Sequence, residues 1–77
     1  MYSVCGVVVD RDAKPILSAS VVIDTFWVAF TDYKGEFCID GVSPGEHTVY
    51  ALHRMYEKNS SVVDVNEDLY ITITMGY

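Results

Sequence analysis

The stretch Leu69-Tyr70-Ile71-Thr72-Ile73-Thr74-Met75 places Leu, Ile, Ile and Met on alternate positions, with Tyr, Thr and Thr between them. Successive side chains of an extended chain point to opposite faces. This pattern therefore describes a strand with one face on an apolar core and the other toward water. The same rhythm recurs along the chain. Val63 and Val65 flank Asp64, and Glu67-Asp68 turns that segment into the last one. Val4 to Val9, Ala19 to Ile23, Trp27 to Thr31, Glu36 to Ile39 and His47 to His53 read as further strands. Together they make about seven, with turn signals roughly every 8–12 residues, which predicts an all-β sandwich or barrel. No segment carries a helical period.

The corners are equally legible. Asp10 to Pro15 is polar, and Pro15 restricts the backbone there. Asp32-Tyr33-Lys34-Gly35 and Gly41 to Gly45 hold the turn glycines Gly35 and Gly45. Asp32 is expected to fix its turn by accepting backbone N–H bonds, and Pro44 shapes the second corner.

A chain of 77 residues suffices for one small domain, residues 1–77, and at this size only about 60% of the unfolded surface is buried. A deep internal cavity would remove core that the fold needs. Eleven Asp or Glu stand against five Lys or Arg, a net charge of −6. An acidic surface without a basic cluster argues against nucleic-acid binding and against anionic membranes. No apolar run reaches the length of a membrane span, and Met1 onward lacks the basic start and long apolar stretch of a secretory signal. Direct membrane insertion is not expected.

In their order and spacing, two stretches resemble the carboxypeptidase regulatory-like domain family. "VCGVVVDRDAKPILSASVVI" is similar to its opening: a Gly-containing strand, a polar turn, then a Leu-x-x-Ala-x-Val strand. "FTDYKGEFCIDGVSPGEHTVYAL" is similar to its Thr-Asp, Gly, Phe, Pro-Gly segment, and Tyr56 matches a frequent aromatic. Ser18 stands where Gly is usual, Phe26-Trp27-Val28-Ala29 replaces a segment often containing Gly-Thr, and His47 takes a position more often Tyr. The resemblance implies an all-β, seven-stranded, antiparallel or mixed Greek-key sandwich of the prealbumin (transthyretin) type. It further implies a non-catalytic accessory module of a larger cell-envelope protein, such as an outer-membrane receptor extension or a surface protein. The implied partner is protein, either a neighbouring domain or a second copy in a homodimer. A glycan-binding module and a transthyretin-like hydrolase are the alternatives.

No catalytic residue, cofactor site or metal site is assigned. Asp32 has no sequence-implied partner for acid–base work. His47 and His53 on one strand would stand about 20 Å apart, too far to share an ion, and His47 reads as a packed or rim histidine. Asp10, Asp12 and Glu67-Asp68 lack the spacing of a calcium loop. The family's core phase at Gly6 and Val8 turns Cys5 outward, and Phe37 and Ile39 do the same for Cys38. The implied neighbouring strands bring the two cysteines together on one outer face, with their disulfide state open. Cys5, Val7, Val9 and Cys38 form a candidate interface there. Trp27 either joins an interface or closes the end of the sandwich.

Overall fold

The computed structural model describes residues 1–76. Seven strands follow one another: β1 (Tyr2–Val9), β2 (Ser20–Ile23), β3 (Trp27–Phe30), β4 (Glu36–Val42), β5 (Gly45–Leu52), β6 (Asn59–Val65) and β7 (Leu69–Thr74). They form two sheets, ordered β4-β1-β7 and β3-β2-β5-β6. Every neighbouring pair is antiparallel except β1–β7, which is parallel. Seven strands in two sheets are one of the two all-β forms that the alternation predicts, a sandwich, and the mixed pairing is the one that the family resemblance implies.

Each sheet sends alternate side chains into one shared layer. Val4 and Val8 come from β1, Val21 and Ile23 from β2, Phe37, Ile39 and Val42 from β4, and Val49 and Ala51 from β5. Val65, Ile73 and Met75 complete the far side. Full burial of each Val or Ile contributes about 1.5–3 kcal/mol of transfer free energy. Gly6 lies on the inner face of β1 between Val4 and Val8, and a Cβ there would overlap the carbonyl of Ile71 on β7.

Two acidic corners are organised in the same way. The Asp10 carboxylate accepts the N–H groups of Asp12 and Lys14 at 2.8 and 3.0 Å. The Asp32 carboxylate accepts those of Lys34 and Glu36, both at 2.9 Å. In each case one carboxylate oxygen is engaged by backbone. Gly35 completes the second corner at φ +73°, and a Cβ there would stand 2.5 Å from the Val8 carbonyl oxygen. The corner is stitched to the central strand, since Val8 N–H donates to Gly35 O at 2.8 Å.

The loop between β1 and β2 is held from inside by Thr31. Its hydroxyl donates to Ile16 O at 2.6 Å and accepts Ala19 N–H at 2.8 Å. At the exposed Ser18 the backbone takes φ +63°, a left-handed conformation that glycine adopts at least cost.

These two positions predict opposite effects on urea-unfolding midpoints. Gly35→Ala should lower stability by about 2 kcal/mol or more, through positive φ and the clash with Val8. Ser18→Gly should raise it by about 1 kcal/mol by releasing left-handed strain.

Candidate functional site

The β2–β3 hairpin turns through Asp24 and Thr25 at φ +53° and +60°, with Phe26 N–H donating to Ile23 O at 2.9 Å. Both signs are those a type I′ turn requires, and such turns normally use Asn or Gly. A β-branched Thr in this region is strained. The turn persists because Asp24 is anchored to β5. Its N–H donates to Thr48 O at 3.0 Å, one carboxylate oxygen accepts Thr48 N–H at 2.8 Å, and the other pairs with His47 Nδ1.

His47 sits on the inner face of β5 and is buried. Its Nε2 lies 2.7 Å from the carbonyl oxygen of Ser43. The edge of Trp27 meets the imidazole at a centroid separation of 5.6 Å. One histidine thus joins the β2–β3 hairpin, β5 and the Ser43-Pro44-Gly45 corner. The hydrogen bond to Asp24, and then that to the Ser43 carbonyl, hold the His47 pKa above its ordinary value. The Asp24 pKa is held below its own by His47 first and the Thr48 N–H second.

Ser43 Oγ also stands 3.4 Å from His47 Nε2, so Ser43, His47 and Asp24 have the order of a nucleophile–base–orienter triad. The proton arrangement is wrong for that chemistry. The Ser43 carbonyl and the Asp24 carboxylate are both acceptors, and each favours a proton on the ring nitrogen that faces it, so the geometry favours the doubly protonated imidazole. An imidazolium bonded at both nitrogens has no lone pair for a serine proton. Among the described residues, no group of three or more His, Cys, Asp or Glu side chains could hold a metal ion.

The anchored hairpin displays apolar side chains on the outer face of the four-stranded sheet. Phe26 at the turn is 75% exposed and Phe30 68%. Val28 pairs across Val22 to Tyr50, and Phe30 across Ser20 to Leu52. Val62 on β6, opposite Thr48, extends the face and is exposed.

The residues singled out from sequence distribute as follows. Asp32, Gly35, Pro44 and Gly45 stand at the two corners described. Cys5 and Cys38 are cross-strand partners with Cα atoms 3.9 Å apart, and they are joined as a disulfide. Val7 and Val9 share that outer face but are half-buried, and their cross-strand partners are polar: Glu36 and Thr72 beside Val7, Thr74 beside Val9. The exposed apolar surface therefore lies chiefly on the other sheet. Trp27 turns inward, is half-buried against the core, and closes the end of the sandwich. His53 lies just beyond β5. The Asp24–His47 pair escaped sequence reading. Its available signal was the short polar break Asp24-Thr25 between two apolar runs, the mark of a tight hairpin.

A family model, the carboxypeptidase regulatory-like domain, matches residues 3–76. The chain belongs to this family. No curated protein matches the sequence. Two solved structures share the fold, an N-terminal and a C-terminal interface mutant of a type II cohesin–X-dockerin complex from Acetivibrio cellulolyticus. Each is 24% identical and covers 97% of this regulatory-like chain, with TM-scores of 0.86 and 0.85 respectively. The match spans 57% of each of those chains, little more than half their length.

The clasp makes stability depend on pH in a defined window. His47, with its raised folded pKa, stabilises fully below its unfolded value of about 6.5, and this is lost as pH rises through the folded pKa. Asp24, with its lowered folded pKa, stabilises above its unfolded value of about 3.9, and this is lost as pH falls through the folded pKa. The stability advantage of the native chain over Asp24→Asn, from urea midpoints, should therefore be greatest between about pH 4 and 6.5 and shrink on both sides. A difference that is flat from pH 3 to 9 would contradict this role.

Proposed function

We propose that residues 1–77 form one non-catalytic interaction module of a larger cell-envelope protein, and that its outer β3-β2-β5-β6 face receives a protein partner. The observation that carries this reading is the set of outward apolar side chains Val22, Val28, Phe30, Tyr50, Leu52 and Val62, broken by Ser20, Thr48 and Ser60, with the exposed Val28 and Phe30 carried by the anchored hairpin. Exposed apolar patches on small sandwiches usually mark interfaces. A strained turn stabilised from outside itself is a further mark of a surface shaped for contact.

The partner is a different chain or domain rather than a second copy. Two copies at −6 each repel, which opposes self-association through a flat face. The Cys5–Cys38 disulfide supports an oxidising location such as the periplasm or cell surface. Hydrolase chemistry is disfavoured because His47 is occupied at both ring nitrogens. Glycan stacking is disfavoured at Tyr50, where Lys58 lies 4.6 Å from the ring centroid.

Photo-crosslinking tests the reading directly. Benzophenone-bearing residues at Val28 or Val62 should capture one recurrent protein from the native cell envelope, identified by mass spectrometry. The same probe at Thr72, on the opposite sheet, should not. Equal capture from both faces, or only chain-to-chain adducts, would refute the proposed face and partner. Intact mass spectrometry after alkylation without reductant should show no modified cysteine, and two after reduction.

A further inference from the structure

Resting on the interaction reading above, we infer that the end of this sheet nearest the β5–β6 turn is a recognition groove for an extended partner segment that carries a single Asp or Glu side chain beside aliphatic residues.

A groove of about 600 Å³ opens there between the Ser18–Ser20 stretch and the His53–Lys58 turn. Leu52 and Met55 supply apolar lining. Arg54 and Lys58 supply two of the five Lys or Arg of a strongly acidic chain, and neither makes an ion pair among the described residues. Glu57, between them in sequence, is not part of the lining. The placement is unlike the rest of the surface, where carboxylates outnumber cations.

The groove also has uncharged donors. Ser18 and Ser20 contribute hydroxyls. His53 accepts Met55 N–H on Nδ1 at 3.1 Å, which leaves its ring proton on Nε2. Its ring is fixed edge-on to Tyr56 at 5.3 Å. Ser18 holds left-handed φ, although glycine would relieve the strain.

A second, apolar cavity of about 230 Å³ adjoins the groove, lined by Val22, Thr25, Tyr50, Leu52 and Lys58. The two share Leu52 and Lys58. An extended segment laid along the sheet can place an aliphatic side chain over Val22 and Leu52 and a carboxylate between Arg54 and Lys58, whose ammonium would turn from the face of Tyr50 toward it. Guanidinium and ammonium donors match that carboxylate, and charge-assisted bonds are about twice as strong as neutral ones. The overall charge of −6 selects against segments rich in acid, so one carboxylate amid apolar neighbours is the complementary pattern.

The test is a ¹⁵N–¹H titration of the whole chain with the blocked hexapeptide acetyl-Ser-Val-Leu-Glu-Leu-Thr-amide. Saturable shifts are expected at Ser18, Ser20 and the His53–Lys58 turn. The Gln analogue should bind at least about fivefold more weakly, and the double variant Arg54→Ala/Lys58→Ala roughly tenfold more weakly while its spectrum stays folded. Ser18→Gly should weaken binding two- to threefold while raising stability, a split that a purely structural residue would not give. Equal affinity for the Gln analogue, unchanged affinity in the double variant, saturable shifts from sodium phosphate alone at the same residues, or no saturable shift would each overturn the inference. Crosslinking at Val28 and Val62 reads the flat face without Arg54 or Lys58, so failure of the groove and failure of the interaction face are separately visible.

Discussion

One layer of aliphatic side chains between two sheets holds this molecule together. Val4 and Val8 on one side meet Val21, Ile23 and Val49 from the other, within a single buried cluster that also takes in Phe37, Ile39 and Ile73. A chain of 77 residues has no second core to fall back on. Strand spacing, corner geometry and the inward turn of Trp27 all serve this layer. Gly6 shows how little slack it has, since even a methyl group there would meet the backbone of β7.

A filled interior leaves the surface as the place for recognition. The two outer faces differ in kind. On the three-stranded sheet, β1 is central, and its outward Val7 and Val9 are interleaved with Glu36, Thr72 and Thr74 and held beside a covalent cross-strand bond. On the four-stranded sheet, Val28, Val22 and Tyr50 lie side by side across three strands, and the hairpin at its edge is kept in a costly conformation by Asp24, Thr48 and His47. Covalent locking of one face and electrostatic anchoring of the other are consistent with a rigid display surface, as a module that recognises partners requires.

Where one face of a strand is apolar and the other polar, as in Leu69 to Met75, alternation alone shows what points inward. The corner glycines and acids are likewise legible, because few residue types tolerate those conformations. Val4 to Val9, Val21-Val22-Ile23 and Trp27 to Phe30 are apolar on both faces. A period of two cannot choose between faces there; for Val4 to Val9 the family resemblance supplied the phase, which turned Cys5, Val7 and Val9 outward as found, whereas no such guide marked the exposed Val28 and Phe30. The Asp24–His47 pair joins residues far apart in sequence, and no local pattern encodes such a contact. The cysteine proximity was accessible only because the family resemblance supplied strand neighbours.

Two valines on β6 offer the most direct measurement of the division between a structural inner face and a free outer one. Val65 is fully buried and Val62 is 62% exposed, on opposite faces of the same strand. With the identical change to Thr at each position, the two-sheet arrangement predicts a loss of about 2 kcal/mol in unfolding free energy at Val65 and a change within about 0.5 kcal/mol at Val62. Equal losses, or the larger loss at Val62, would contradict it.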